Sequence, residues 1–192
     1  MLKIAILAGT QRPGALNPQI TAWVEQQLAA RTDIEAEVVH FDSFGLPLLD
    51  EAIPGGAHMY ENEHTKAWGA KLDEFDGFIF VVPEYNHSFP GSLKNALDFV
   101  GTEFGDKVTA IVNYGADKGV RAAEQLRLVL SNYRTATVRG QASFSIFTDV
   151  KDGVFAPEEV SANTFGPMIE DLVSWGEAFR QIRAAKAAAV AA

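Results

Sequence analysis

Apolar positions along this chain follow two rhythms. Short runs rich in β-branched residues alternate with longer segments in which apolar residues recur every three or four positions; the first rhythm marks strands and the second amphipathic helices. Strands are predicted at residues 3–8, 36–41, 77–82, 107–114 and 137–147. Within the third, Phe78-Ile79-Phe80-Val81-Val82 carries no polar residue, the pattern of a central strand buried on both faces. Ile20, Trp23, Val24 and Leu28 share one helical stripe, as do Ala123, Leu126, Val129 and Leu130. A last helix is expected to start near Pro157-Glu158-Glu159, where proline and acidic residues suit a first turn. It carries Phe165, Met168, Ile169, Leu172, Val173 and Phe179 along one side, and Gly166 and Pro167 are placed to divide it. The alternation argues for βαβ units, an α/β fold with a parallel sheet and helices on both faces.

No repeat or linker interrupts the pattern, so residues 1–185 read as one domain. Residues 186–192 are rich in alanine, with helix propensity but little to bury, and are expected to fray. Residues 42–62, rich in proline, glycine and acidic side chains, read as a long loop. In doubly wound sheets a ligand lies beyond the carboxyl ends of the strands, where the strand order reverses. The segments after strands one, three and four are therefore the ones to inspect.

Composition narrows the class of partner. At 192 residues, 47% apolar and 21% charged, the chain suits a single folded globular domain. Its formal net charge of -9, with no basic cluster, argues against nucleic acid and against an anionic membrane surface. No uncharged apolar run reaches the ~18 residues of a spanning helix. The apolar start, closed by Arg12 and Pro13, reads as a buried strand rather than an export signal. The lack of cysteine removes disulfides, thiolate catalysis and cysteine-held metals, and fits a cytoplasmic location.

The first loop, Gly9-Thr10-Gln11-Arg12-Pro13-Gly14-Ala15-Leu16-Asn17, suits an anion. Glycines admit close backbone approach, Thr10 brings a hydroxyl, Arg12 a fork of N–H donors and Asn17 an amide, while a helix N-terminus adds about half a positive charge. Gly9 and Gly14 have the spacing of a triphosphate-binding loop, but Ala15 and Leu16 stand where its Lys and Ser/Thr belong; the dinucleotide pattern of three glycines is absent too. Read by themselves, the same residues equally suit a plain turn with Asn17 as helix N-cap.

The second loop is more telling. Strand three empties into Pro83-Glu84-Tyr85-Asn86-His87-Ser88-Phe89-Pro90-Gly91-Ser92-Leu93-Lys94-Asn95-Ala96-Leu97-Asp98, and this run resembles the signature of the NADPH-dependent FMN reductase family. Gly9-Thr10-Gln11-Arg12 resembles that family's phosphate loop, with Thr10 in place of a serine, and residues 113–127 resemble its glycine-containing loop after strand four. The resemblance implies a flavodoxin-like fold with a five-stranded parallel sheet in the order 2-1-3-4-5. It also implies FMN phosphate on Thr10, Arg12 and Asn17, the isoalloxazine edge and ribityl chain on Pro83, Glu84, Tyr85 and Asn86, and Gly115 near the ring's other edge. Two departures stand out: Ala15 and Leu16 offer no hydroxyl where relatives carry serine, and Ala116-Asp117 interrupts a loop that is usually richer in glycine.

The activity so implied is an NAD(P)H-dependent reductase. Hydride passes from NADPH or NADH to FMN and electrons go on to a small-molecule acceptor: a flavin, a quinone, an azo compound or a metal ion. FMN carries this chemistry, so no side chain is assigned a catalytic proton transfer, and Glu84 is read as a positioning element acting through its backbone. The resemblance further implies a homodimer or homotetramer. The rival readings are a flavodoxin-like electron carrier and a flavin sensor without turnover. His58, Glu61, Glu63 and His64 match no zinc spacing, and no metal is expected. Lys94 and Asp98 are read as a surface ion pair on a helix, and Trp23 and Trp68 as core or interface residues.

Overall fold

The structure, a computed structural model, describes residues 1–191; Ala192 lies outside the described residues. Strands β1 (Leu2–Ala8), β2 (Ile34–Val39), β3 (Gly77–Pro83), β4 (Val108–Gly115) and β5 (Ala136–Ser145) form one parallel sheet in the order β2-β1-β3-β4-β5. Between and after them run helices α1 (Asn17–Leu28), α2 (Glu63–Asp73), α3 (Gly91–Asp98), α4 (Val120–Leu130), α5 (Glu159–Ala162) and α6 (Phe165–Ala191). The flavodoxin-like α/β architecture expected from the sequence is the one observed. The order reverses between β1 and β3, which opens a crevice at their carboxyl ends.

Alternate side chains of the central strands feed two cores. Ala5 and Leu7 of β1 and Phe78, Phe80 and Val82 of β3 face Trp68 and Leu72 of α2, Leu97 of α3 and Leu126 of α4. Ile4, Ile6, Ile79 and Val81 face Ile20 and Val24 of α1 and Met168, Ile169 and Leu172 of α6. This period of two, with both faces covered, is why β3 has no polar position. Each large apolar side chain so buried contributes about 1.5 to 3 kcal/mol relative to exposure. Trp68 is buried with its indole N–H donated to the Ala96 carbonyl at 2.9 Å, while Trp23 packs edge-on against Phe144, Phe155 and Phe165.

Several boundaries differ from expectation for local reasons. Strand β2 ends at Val39 because Phe41 turns into the core within a 3-10 turn, Phe41–Phe44. Strand β5 stops at Ser145, whose N–H donates to the Asp149 carboxylate at 2.7 Å, so Ile146 and Phe147 leave the sheet and point outward. A hairpin, β6 (Val150–Lys151) and β7 (Val154–Phe155), absent from the sequence reading, follows around Asp152-Gly153, both at the positive φ that such a two-residue turn requires. The C-terminal helix is divided at residues 163–164, and Gly166 and Pro167 fall in the first turn of α6, where proline is tolerated. Past Arg183 the tail expected to fray stays helical through Ala191 with residues 184–190 exposed, carried by alanine's helix propensity. No described helix is long and apolar enough to cross a membrane.

Residues 42–62 form the predicted loop, interrupted by 3-10 turns, and it is tied down. The Glu51 carboxylate accepts the Glu61 and Asn62 N–H groups at 3.0 Å each, and the Asn95 amide bridges the Pro47 carbonyl and the Leu49 N–H.

Candidate functional site

The first loop is pinned to the central strand through one carbonyl. Val81 O accepts the Gly9 N–H at 2.9 Å and the Asn17 side-chain amide at 2.8 Å. A Cβ on Gly9 would stand 2.5 Å from that same oxygen, so the close approach requires glycine. Asn17 is 1% exposed, and its oxygens accept the Thr21 hydroxyl. Helix α1 begins at Asn17 itself, with Leu16 as its uncapped N-cap position. Asn17 is thus not the N-cap, and one N–H of its side-chain amide holds the loop against β3.

Thr10 and Arg12 do converge, and they meet Tyr85 from the second loop. The Arg12 Nε donates to the Tyr85 hydroxyl at 3.0 Å, the Thr10 hydroxyl lies 3.2 Å from that oxygen, and the Arg12 N–H donates back to Thr10 Oγ1 at 3.2 Å. Tyr85 and Ser88 exchange backbone hydrogen bonds of 2.9 and 3.2 Å around Asn86 and His87, both at positive φ. This is a tight left-handed turn that sets the direction of the Tyr85 ring. Asn86 and His87 stand exposed at its tip.

Glu84 joins the second loop to the third. Its N–H donates to the Tyr114 carbonyl at 3.0 Å, so the backbone group expected to serve a ligand is already engaged. Its carboxylate accepts the Arg121 Nε on one oxygen and the Arg121 N–H, in the first turn of α4, on the other. The turn before α4 depends on Gly119, at φ 73°, where a Cβ would lie 2.6 Å from the Tyr114 carbonyl oxygen. A fourth segment closes the group: the Ile146 N–H donates to the Gly115 carbonyl at 3.1 Å. The buried Asp149 carboxylate fixes this segment by accepting the N–H groups of Ser145 and Glu158 and the Ser161 hydroxyl.

Between these loops lies a cleft of about 310 Å³ lined by Arg12, Leu16, Pro83, Glu84, Tyr85, Tyr114, Gly115, Ala116 and Ile146, within the roughly 300 to 1,000 Å³ typical of small-molecule sites. A larger hollow of about 420 Å³ runs beside Gly140 and Met168, along β5 rather than at the strands' carboxyl ends. The walls of the crevice cleft are chiefly apolar. The Tyr114 hydroxyl is buried, and burial holds its pKa well above the ordinary phenol range against the opposing effect of the Asn17 side chain beside it.

Of the residues singled out from sequence, Arg12, Pro83, Glu84, Tyr85 and Gly115 share this cleft, and Thr10 bonds to its rim. Asn86 stands at the turn tip and Asn17 lies beneath the loop. Tyr114 and Ile146 were not singled out because both were read as interior strand residues; a strand's last positions in a switch-point crevice are the signal that finds them. The predicted ion pair Lys94–Asp98 is formed at 2.6 Å. In the acidic loop, His64 pairs with Asp50 at 3.0 Å. Among the described residues, His58, Asp73 and Glu103 bring ligand-type atoms within 4.8 Å of one another, near the amino end of β4 and remote from the cleft.

A doubly wound parallel sheet, with a cationic rim after β1 and a narrow apolar slot between the loops after β3 and β4, defines a flavodoxin-like ligand-binding protein. The model of the NADPH-dependent FMN reductase family matches residues 2–149, and the chain belongs to that family. It is 32% identical over 186 residues to an NAD(P)H-dependent FMN reductase of Nectria sp, covering 90% of this chain and 92% of that one. To another of that description, from Schizosaccharomyces pombe, it is 40% identical over 131 residues, 66% of this chain and 64% of the relative. A further relative, at 34% identity over 124 residues (62% of this chain and 61% of that one), is the NAD(P)H:quinone oxidoreductase of Solanum tuberosum. Among solved structures, the flavoenzyme FerB, an NAD(P)H:(acceptor) oxidoreductase from Paracoccus denitrificans, matches in fold. Its TM-score is 0.74 at 19% identity, over 93% of this chain and 99% of that one.

The residues present fit FMN. The slot has chiefly apolar walls to receive a ring system, and its rim offers Arg12 and two hydroxyls to a phosphate.

Proposed function

We propose that the chain is an NAD(P)H-dependent reductase holding FMN in this cleft and passing electrons to a small-molecule acceptor, a quinone or a free flavin in the first instance. The observation that carries the reading is the convergence of Thr10, Arg12 and the Tyr85 hydroxyl at one end of an apolar slot. Thr10 and Arg12 hold the phosphate, Pro83, Glu84, Tyr85 and Asn86 flank the ring and ribityl chain, and Gly115 allows close approach from the opposite side. FMN, when bound, supplies the two-electron chemistry; the protein supplies position and excludes water from the slot. Leu16 and Ile146 add apolar wall on either side of the entrance.

Residues 1–185 act as one FMN-binding domain, and the tail adds nothing to the site. A cytoplasmic homo-oligomer completes the proposal, since Leu48, Phe147 and Val154 expose large apolar side chains of the kind that subunit contacts cover. Anaerobic mixing with NADPH and with NADH tests the activity. Either nicotinamide should bleach the flavin absorbance of the FMN-loaded protein. Stable FMN binding with no bleaching by either would favour the electron-carrier reading, for which the net charge of -9 would suit docking on a basic redox partner.

A further inference from the structure

We propose that Arg121 is a positioning residue of this site and the counter-charge of Glu84, locking the two ring-side loops together and keeping bound FMN easy to reduce. The proposal rests on the reading that the cleft takes FMN.

The argument starts from burial. The Glu84 side chain is 7% exposed and lies in the wall of the cleft, whereas Arg121 is 37% exposed and comes from α4, after the opposite loop. Both carboxylate oxygens are taken by the one residue: Oε1 by its Nε, Oε2 by its backbone N–H at 3.1 Å. The far end of the guanidinium donates to Asp117 at 2.7 Å, which fixes its plane. Among the described residues, Arg121 is the one cation paired with Glu84. Asp117 is 67% exposed and solvated, so its charge weighs little in the cleft.

An exposed ion pair would carry no functional argument. This one differs because the carboxylate is withdrawn from water beside a slot where reduction adds electron density to a ring. An unbalanced negative charge there would oppose that gain. Arg121 and the positive end of the α4 dipole offset it. The same contacts add a side-chain tie between Pro83-Glu84-Tyr85 and the loop of Gly115 and Ala116, beside the backbone bond from Glu84 N–H to the Tyr114 carbonyl.

The test is a double-variant cycle on Glu84 and Arg121 read by potentiometric titration, with FMN dissociation constants measured alongside. Arg121→Gln should shift relative affinity away from reduced FMN by roughly tenfold, a midpoint about 30 mV lower for a two-electron couple. Glu84→Gln should shift it in the opposite sense. The double variant should return close to the wild-type potential, and Arg121→Lys should keep the potential while weakening FMN binding through the lost fork. An unchanged potential in Arg121→Gln, or a double variant as low as Arg121→Gln, would overturn the proposal. Should Arg121→Gln fail to fold, Glu84→Gln decides, since an unaltered potential there overturns it equally. Failure of the underlying reading is distinct: wild-type protein would then take up no FMN, or Arg12→Ala would leave its dissociation constant unchanged.

Discussion

The Tyr85 hydroxyl meets Arg12 and Thr10 of the first loop, residues 73 and 75 positions away in sequence. In the proposed function these three define the phosphate end of the slot, and Arg12 is its one formal charge. Arg12→Ala should therefore raise the FMN dissociation constant by roughly tenfold to a hundredfold, measured by quenching of flavin fluorescence. Arg12 and Tyr85 were legible because an arginine in a glycine loop and an aromatic at the mouth of an all-apolar strand are conspicuous chemistry. The setting of Asn17 was not legible, for an equally physical reason. A sequence displays an amide's capacity to donate but not the buried carbonyl of Val81 that claims it. Glu84 was recognised, but its partner was not, since Arg121 lies 37 positions away and only the β3–β4 register brings them together.

At the scale of elements, turn chemistry explains what the hydrophobic rhythm could not. The five strands follow from apolar runs, and their order was what the family resemblance implied, which is why the sheet was readable. The ends of β2 and β5, by contrast, are set by a buried Phe41 and by the Asp149 carboxylate, local turn contacts that periodicity does not record. The turn at Asn86-His87 holds two side-chain-bearing residues at φ 49° and 74°. His87→Gly should relieve the second at no loss of contact and raise stability by about 1 kcal/mol, measured by chemical denaturation. Gly9→Ala should do the reverse. Its methyl group meets a backbone oxygen that cannot retreat without breaking β3, so both melting temperature and FMN uptake should fall.

For the molecule as a whole, one buried charge gives stability a pH dependence. Lys107, at the amino end of β4, is 6% exposed; burial pulls its pKa down to about 8 from an ordinary 10.5, against the opposing pull of Asp73. Between those values the unfolded chain keeps a proton that the folded protein has released. Stability therefore rises with pH across the window and is lowest, for this group, below about pH 8. The full effect is of the order of 3 kcal/mol. Denaturant midpoints at pH 7.5 and pH 10 should show this rise in the wild type and lose it in Lys107→Met, whatever that variant's baseline stability.

The shared acceptor at Val81 has a mechanical meaning as well. Because the Gly9 amide and the Asn17 side chain hang on one oxygen of the strand that leads directly into Pro83 and Tyr85, the first loop cannot lift away while β3 stays in register. The two ends of the site open as one unit, and the Gly9 amide proton should exchange with solvent at the slow rate of the sheet interior rather than the fast rate of a surface loop.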